Sequence, residues 1–250
     1  MAKTCLFCES TGPFTEEDLN SKWMRKAKLF PEGPEWRYDI TKELGGRPYP
    51  TRRLTSPTTK VPGVCLRCNT RWMSGLERRS KPLLIPMIKD YRTVLAPRDQ
   101  SVIARWITMK TMVSEWHEVL AGRYFFEKSE RRAMGINQTM PVTARVWLAR
   151  HREYLFPFSR GVLFTDAAFT ALASTLVYGH FVAQALVVHR KRDSAKNVTP
   201  ASDSQGWTVE IWSPSREERE EAWPPQESLD NRTLKSFQER WELQSRWLSA

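Results

Sequence analysis

Two pairs of cysteines constrain the fold of this chain more than any other feature. Both have the form Cys-x-x-Cys, at residues 5–8 and 65–68, and the chain has 4 cysteines in all. A turn of this kind aims two thiolates at one ion, and two such turns supply the four soft ligands of a tetrahedral structural zinc site. The spacing therefore predicts an N-terminal zinc module whose ligands are Cys5, Cys8, Cys65 and Cys68.

Disulfide bonds are the alternative interpretation of the same cysteines. Residues 1–20 contain Lys3 but no apolar segment of the length that a signal peptide requires. Because disulfides persist mainly in oxidising compartments, this composition favours zinc. The most apolar stretch, residues 167–189, is interrupted by polar side chains and does not predict a membrane span. We therefore expect a soluble, cytoplasmic protein with no membrane partner.

The charge balance favours a polyanionic partner. The 250 residues include 39 Lys and Arg against 28 Asp and Glu, a formal net charge of +11. An excess of this size is frequent in nucleic-acid-binding proteins, although soluble basic proteins without such a partner also show it. Residues 31–63 are rich in Pro and Gly and predict an irregular basic insertion. Within it, Arg52 and Arg53 are candidate contacts to phosphates.

The segment after the second cysteine pair predicts the most basic helix of the chain. We expect this helix to cover residues 69–77 and to stop before Pro82. A Cys-x-x-Cys pair at the start of a helix is typical of treble-clef zinc fingers. Four arginines around this helix are candidate nucleic-acid contacts: Arg67, Arg71, Arg78 and Arg79.

The remainder of the chain predicts a mixture of helices and strands. Residues 99–121 have apolar side chains at helical spacing, including Ile103, Trp106 and Ile107. Further patterns predict strands over residues 141–149, 160–165 and 207–212. Residues 170–189 predict two more strands, joined by a turn at Gly179. A last helix is expected after Pro224 and Pro225.

The predicted fold class is therefore α+β. A treble-clef or ββα-metal-like zinc module is expected over residues 1–80, and a domain of mixed helices and antiparallel strands over residues 81–250. No motif in the second domain predicts a cofactor pocket or a second active site.

One family resemblance lies in residues 64–88. They comprise Val-Cys-Leu-Arg-Cys-Asn-Thr-Arg-Trp-Met-Ser-Gly-Leu-Glu and, from residue 81, Lys-Pro-Leu-Leu-Ile-Pro-Met-Ile. With the Cys-Leu-Phe-Cys opening, this run resembles an uncharacterised bacterial family of HNH-like proteins, common in actinobacteria and their mobile elements. Shorter matches at 145–148, 211–214 and 223–225 extend the resemblance over most of the chain.

The resemblance implies a hairpin and a helix held together by zinc, with a catalytic Mg²⁺ or Mn²⁺ ion in the cleft between them. It assigns Glu17 and Asn69 as oxygen ligands of that second ion. The family segment Thr-x-Glu-His-x-x-Pro-x-Trp is Thr-Glu-Glu-Asp-Leu-Asn-Ser-Lys-Trp here, so Asp18 replaces the general-base histidine. A carboxylate with a pKa near about 3.9 is a much weaker base than histidine at neutral pH. Losing a general base costs on the order of 10²–10⁴ in rate.

Three hypotheses stay open at this point. The first is a catalytically degenerate HNH-like zinc protein that binds nucleic acid, with DNA favoured. The second is an active metal-dependent HNH endonuclease in which Asp18 or a distant histidine serves as the base. The third is a structural subunit of a phage or defence assembly, whose partner is another protein.

Overall fold

A computed structural model of the chain describes residues 4–29, 60–118, 125–165, 169–190 and 206–238. For residues 116–118, residues 164–165 and four short strands between 38 and 54, it describes the backbone alone. The fold is α+β with antiparallel sheets, as predicted. No helix in these ranges is long and apolar enough to cross a membrane.

A hairpin and a helix form the N-terminal part of the fold. Strand β1 (Phe14–Asp18) pairs antiparallel with β6 (Lys60–Cys65), and the short helix α1 (Lys22–Lys26) follows β1. Strand β6 leads directly into a continuous helix over residues 66–88, which we call the knuckle helix. It consists of α2 (Leu66–Cys68), a π-helical turn (Asn69–Met73) and α3 (Ser74–Ile88).

The predicted end of the knuckle helix is wrong, because the helix continues through Pro82 and Pro86 to Ile88. An interior proline costs about 3 kcal/mol through a lost hydrogen bond and a steric clash. Leu84, Met87 and Ile88 are fully buried in the last turns of the same helix. Burying one such side chain contributes about 1.5–3 kcal/mol, so tertiary packing outweighs the local cost of the prolines.

The insertion between β1 and β6 contains strands that the sequence did not predict. Strand β2 (Tyr38–Ile40) pairs with β5 (Arg52–Leu54), and β3 (Glu43–Leu44) pairs with β4 (Arg47–Pro48), so the two hairpins are nested. Arg52 and Arg53 belong to β5, but their side chains lie outside the described part of the structure.

Helix α4 (Pro97–Glu118) packs beside the knuckle helix. The predicted apolar face is buried, including Ile103, Trp106 and Ile107. Polar residues of α4 are buried as well, among them Thr108 and Lys110. A helix that is buried on all sides must pair its polar groups inside the protein.

The largest sheet contains two very long strands, β8 (Arg145–Thr165) and β9 (Phe169–Arg190), with β10 (Thr208–Trp212) on the other side of β8. The sequence predicted two strands with a turn at Gly179, whereas β9 is a single strand that bends sharply there. The Gln184 Nε2 atom donates a hydrogen bond of 3.2 Å to Thr175 Oγ1, 9 residues away. Nine residues of straight strand span about 30 Å, so β9 must fold back on itself.

Smaller elements complete the fold. Strand β7 (Thr93–Leu95) pairs with β11 (Glu221–Trp223), and α5 (Lys128–Asn137) lies between α4 and β8 in the chain. These elements, like α1, were not predicted. Residues 231–238 form the predicted last helix, which buries Leu234 and Phe237.

The domain boundary predicted at residue 80 falls inside α3. The main hydrophobic core contains residues from both sides of that position, such as Cys5, Leu76, Trp106 and Trp223. The cysteine cluster therefore packs into the same core as α4 and β11.

Candidate metal centre and adjoining cavity

The four predicted zinc ligands converge at one point. The Sγ atoms of Cys5, Cys8, Cys65 and Cys68 all lie within 4.8 Å of one another. The Cys8 and Cys65 Sγ atoms are 3.5 Å apart. In a tetrahedral zinc site with bonds of about 2.3 Å, the sulfur atoms are about 3.8 Å apart. The cluster therefore has the size and the donor chemistry of a site for one soft metal ion.

Backbone hydrogen bonds hold the two cysteine turns in this arrangement. The backbone N–H of Cys65 donates to Cys5 Sγ at 3.3 Å, and that of Cys68 donates to Cys65 Sγ at 3.5 Å. The Leu6 and Leu66 N–H groups donate to the carbonyls of Gly63 and Pro13, both at 2.8 Å. These bonds fix each turn against the opposite strand and preorganise the sulfur atoms.

The thiols of the cluster have perturbed acidities. A hydrogen bond from Cys68 lowers the pKa of the Cys5 thiol to about 4, and the same contact raises the pKa of Cys68. Burial raises the pKa of the Cys8 thiol. A bound metal ion stabilises the thiolate form of every ligand.

A cavity of about 190 Å³ lies between β1 and the knuckle helix. It brings together the three residues that the resemblance assigns to the chemistry, Glu17, Asp18 and Asn69. Six further residues line the same space: Glu16, Ser21, Lys22, Met73, Ser74 and Glu77.

A buried lysine from α4 neutralises part of this acidic site. The Lys110 side chain is 1% exposed, and its Nζ atom lies 3.1 Å from Glu17 Oε1 and 2.8 Å from Glu77 Oε1. The same ammonium donates to the Asp18 carbonyl oxygen at 3.1 Å. Its three N–H donors can thus meet three oxygen acceptors, which is the full capacity of an ammonium group.

The acidities of this cluster follow from burial and from mutual charge. Burial alone lowers the pKa of Lys110, but the carboxylates of Glu77 and Glu17 outweigh it and raise the pKa, so the lysine is charged at neutral pH. Burial raises the pKa of Glu17. The nearby carboxylate of Glu77 raises the pKa of Glu17 further, whereas the Lys110 ammonium lowers it.

The other two candidate residues also have protein partners. Asp18 carboxylate oxygens lie 3.5 Å from Lys22 Nζ and 3.4 Å from Arg25 Nη2. The Asn69 Nδ2 group donates to Thr15 Oγ1 at 2.9 Å. Among the described residues, one group of three or more His, Cys, Asp or Glu side chains has its ligand atoms close enough together for one ion. This group is the four cysteines. No three of the described carboxylates around the cavity lie that close together.

The described histidines do not supply a base to the cavity. His151 and His180 contact backbone carbonyls, and His189 Nε2 lies 2.9 Å from a carboxylate oxygen of Glu130. The side chain of His117 lies outside the described residues. Among the described residues, the titratable side chains that line the cavity are therefore the carboxyl groups of Glu16, Glu17, Asp18 and Glu77 and the amine of Lys22.

The predicted basic residues of the knuckle helix fall into two groups. Arg67, Arg71 and Arg78 are exposed, and within the described ranges no acidic side chain pairs with them. Arg79 points elsewhere, because its Nη2 group donates to Gln138 Oε1 at the end of α5 at 2.7 Å.

Comparisons with known proteins identify no relative: no family model, no curated protein and no solved structure matches this chain.

Lys110 and Glu77 were not predicted as site residues. Lys110 stands in the run Ile-Thr-Met-Lys-Thr-Met-Val, where α4 is otherwise apolar or weakly polar. A lysine in such a run predicts a buried ammonium that requires an acidic partner. That signal was present in the sequence, but it did not indicate which carboxylates would pair with the lysine.

Proposed function

We propose that this chain is a zinc-supported nucleic-acid-binding protein, related to the HNH-like nucleases, whose catalytic site is inactive. The observation that carries the proposal is a stripe of exposed basic side chains along the helix that starts at the cysteine cluster, none of which pairs with a described acidic side chain. The hairpin, the cluster and the helix together correspond in this proposal to a ββα-metal or treble-clef module.

The stripe consists of Arg67, Arg71, Arg78 and Lys81, all exposed. Their spacings of four, seven and three residues keep them near one face of the helix. With a rise of 1.5 Å per residue the stripe is about 20 Å long, which matches about six base pairs of B-DNA. Because no described acidic side chain pairs with these residues, their charge is available to phosphates.

The ion in the cysteine cluster is zinc in this proposal, and its role is structural. Four thiolates complete a tetrahedral coordination shell and leave no position for water or substrate. The ion would hold β1, β6 and the knuckle helix together and thereby orient the basic stripe.

The contacts of the cavity support an inactive site. Glu17 is held by Lys110, and Asp18 is held by Lys22 and Arg25, so neither carboxylate is a free base or a free metal ligand. A carboxylate oxygen that already accepts a hydrogen bond from a cation has less capacity to bind a water molecule or a metal ion.

The double charge reversal Arg71→Glu/Arg78→Glu tests the proposal. We expect the wild-type protein to bind a short DNA or RNA duplex with an affinity that falls steeply with salt. Two lost phosphate contacts should reduce the slope of log K against log salt by about 2 and weaken binding about 10- to 100-fold. Fluorescence anisotropy titrations at several salt concentrations measure both quantities.

The matched control is Arg92→Glu/Arg98→Glu, which makes the same change of charge at two exposed arginines away from the stripe. We expect it to retain most of the affinity. Equal losses in both variants would show that net charge alone attracts the nucleic acid. A wild-type protein without saturable, salt-dependent binding would refute the proposed function.

A second candidate function is metal-dependent nuclease activity. The observation in its favour is that Glu17, Asp18, Asn69 and Glu77 border one cavity. Cleavage of supercoiled plasmid with Mn²⁺ or Mg²⁺, compared between wild type, Asp18→His and Asn69→Ala, tests it. Our proposal expects no cleavage by the wild type. Cleavage that disappears in Asn69→Ala would establish the nuclease instead.

A further inference from the structure

The surroundings of the Lys110 ammonium are those of a bound cation. Two carboxylate oxygens and one backbone carbonyl oxygen converge on Nζ, at 2.8 Å from Glu77, 3.1 Å from Glu17 and 3.1 Å from the Asp18 carbonyl. These oxygens come from both β1 and α3, whereas the lysine comes from α4. Carboxylates and backbone carbonyls are the ligands that hard divalent cations prefer.

The charges of this cluster are not balanced by the lysine. One ammonium faces two carboxylates, so the group of three has a formal charge of −1 when all are ionised. The Ser21 hydroxyl donates to Glu77 Oε1 at 2.5 Å and compensates part of this charge with a dipole. A divalent cation at the same place would carry a charge of +2, which equals and opposes the charge of −2 on the two carboxylates.

The two carboxylates that hold the ammonium also border the cavity. Glu17 and Glu77 both line the 190 Å³ cavity, while Lys110 approaches them from the protein interior. An ion that enters from the cavity could keep several water molecules as further ligands, which Mg²⁺ and Mn²⁺ commonly do.

We propose that the Lys110 ammonium is a resident cation that occupies a divalent-metal position in the cavity wall and so excludes a metal ion from it. This inference goes beyond the proposed function, and it does not depend on nucleic-acid binding. It predicts that removal of the lysine side chain creates a Mn²⁺ or Mg²⁺ site.

The experiment measures Mn²⁺ binding to the full, zinc-loaded chain by electron paramagnetic resonance and calorimetry, without nucleic acid. The wild type is expected to show no saturable site. Lys110→Ala is expected to bind one Mn²⁺ with a Kd of about 10⁻⁵–10⁻³ M, the range of weaker oxygen-ligand sites. The double variant Lys110→Ala/Glu77→Gln should bind at least about 10-fold more weakly because one charged ligand is gone. Lys110→Arg keeps a cation in place and should not bind Mn²⁺.

Two results would overturn the inference. One is a wild-type protein that binds Mn²⁺ as tightly as Lys110→Ala, and the other is a folded Lys110→Ala variant that binds none. If the variant does not fold by itself, its circular dichroism is measured in millimolar MnCl₂ and in NaCl of equal ionic strength. Folding in MnCl₂ alone supports the inference, and an unfolded chain in both solutions refutes it.

Discussion

Replacement of Cys65 with serine is expected to abolish metal binding by the cysteine cluster and to unfold the N-terminal hairpin and knuckle helix. Cys65 ends β6, its Sγ lies 3.5 Å from Cys8 Sγ, and it accepts the Cys68 N–H. Structural zinc contributes about 10–16 kcal/mol to the folding of small zinc modules, which is comparable with the entire stability of about 5–15 kcal/mol of a typical domain. Cys5, Cys65 and Cys68 also belong to the main hydrophobic core, so the damage should extend to α4.

The measurements are zinc content per chain and thermal unfolding followed by circular dichroism. Thr70→Ser is the matched control, because Thr70 lies in the first turns of the helix that follows Cys65 and serine retains a hydroxyl for the hydrogen bond to the Leu66 carbonyl. We expect this control to melt like the wild type with its zinc retained. A Cys65→Ser protein with undiminished zinc and an unchanged Tm would show that the cluster is not a metal site.

Gly179→Ala is expected to be strongly destabilising. Gly179 has φ +61, and a Cβ atom there would lie 2.7 Å from the Ile88 carbonyl oxygen and 2.8 Å from Tyr154 Cε2. A left-handed conformation costs a non-glycine residue about 1–2 kcal/mol, and overpacking adds about 1–3 kcal/mol. The free energy of unfolding should therefore fall by about 2–5 kcal/mol, with a decrease in Tm of about 10 °C.

Gly75→Ala provides the comparison for this prediction. Gly75 lies inside α3, and a Cβ there would be 3.6 Å from the nearest atom, an ordinary contact with Arg79. Alanine is favoured over glycine in a helix by about 1 kcal/mol, so this variant should be slightly more stable than the wild type. Urea unfolding of the three proteins measures both effects. Equal stability of Gly179→Ala and wild type would mean that β9 does not require its bend at this residue.

Features with a local cause were the most predictable from the sequence. The Cys-x-x-Cys pairs predicted the convergence of four thiols because each turn is determined within four residues. The apolar period of α4 and the pattern of β10 were predicted for the same reason. The predicted end of the knuckle helix was wrong because burial of Leu84 and Ile88 stabilises the helix by more than the two interior prolines destabilise it.

The bend at Gly179 shows how a correct local signal can have a different structural outcome. Glycine between two apolar segments predicted a hairpin turn, and the chain does change direction there. Pairing with β8 continues on both sides of the bend, however, so the two segments are one strand. The close approach of Ile88 and Tyr154 at this point depends on packing between distant parts of the chain.

The sequence by itself determined the cysteine cluster, the α+β composition and the basic face of the knuckle helix, because these depend on residues that are neighbours in the chain. Only the tertiary structure decided the state of the acidic cavity. Lys110 is 93 residues from Glu17, and their contact arises because α4 packs behind the hairpin. No local propensity encodes such a contact, since it forms only when burial of α4 forces its ammonium group to find buried oxygen partners.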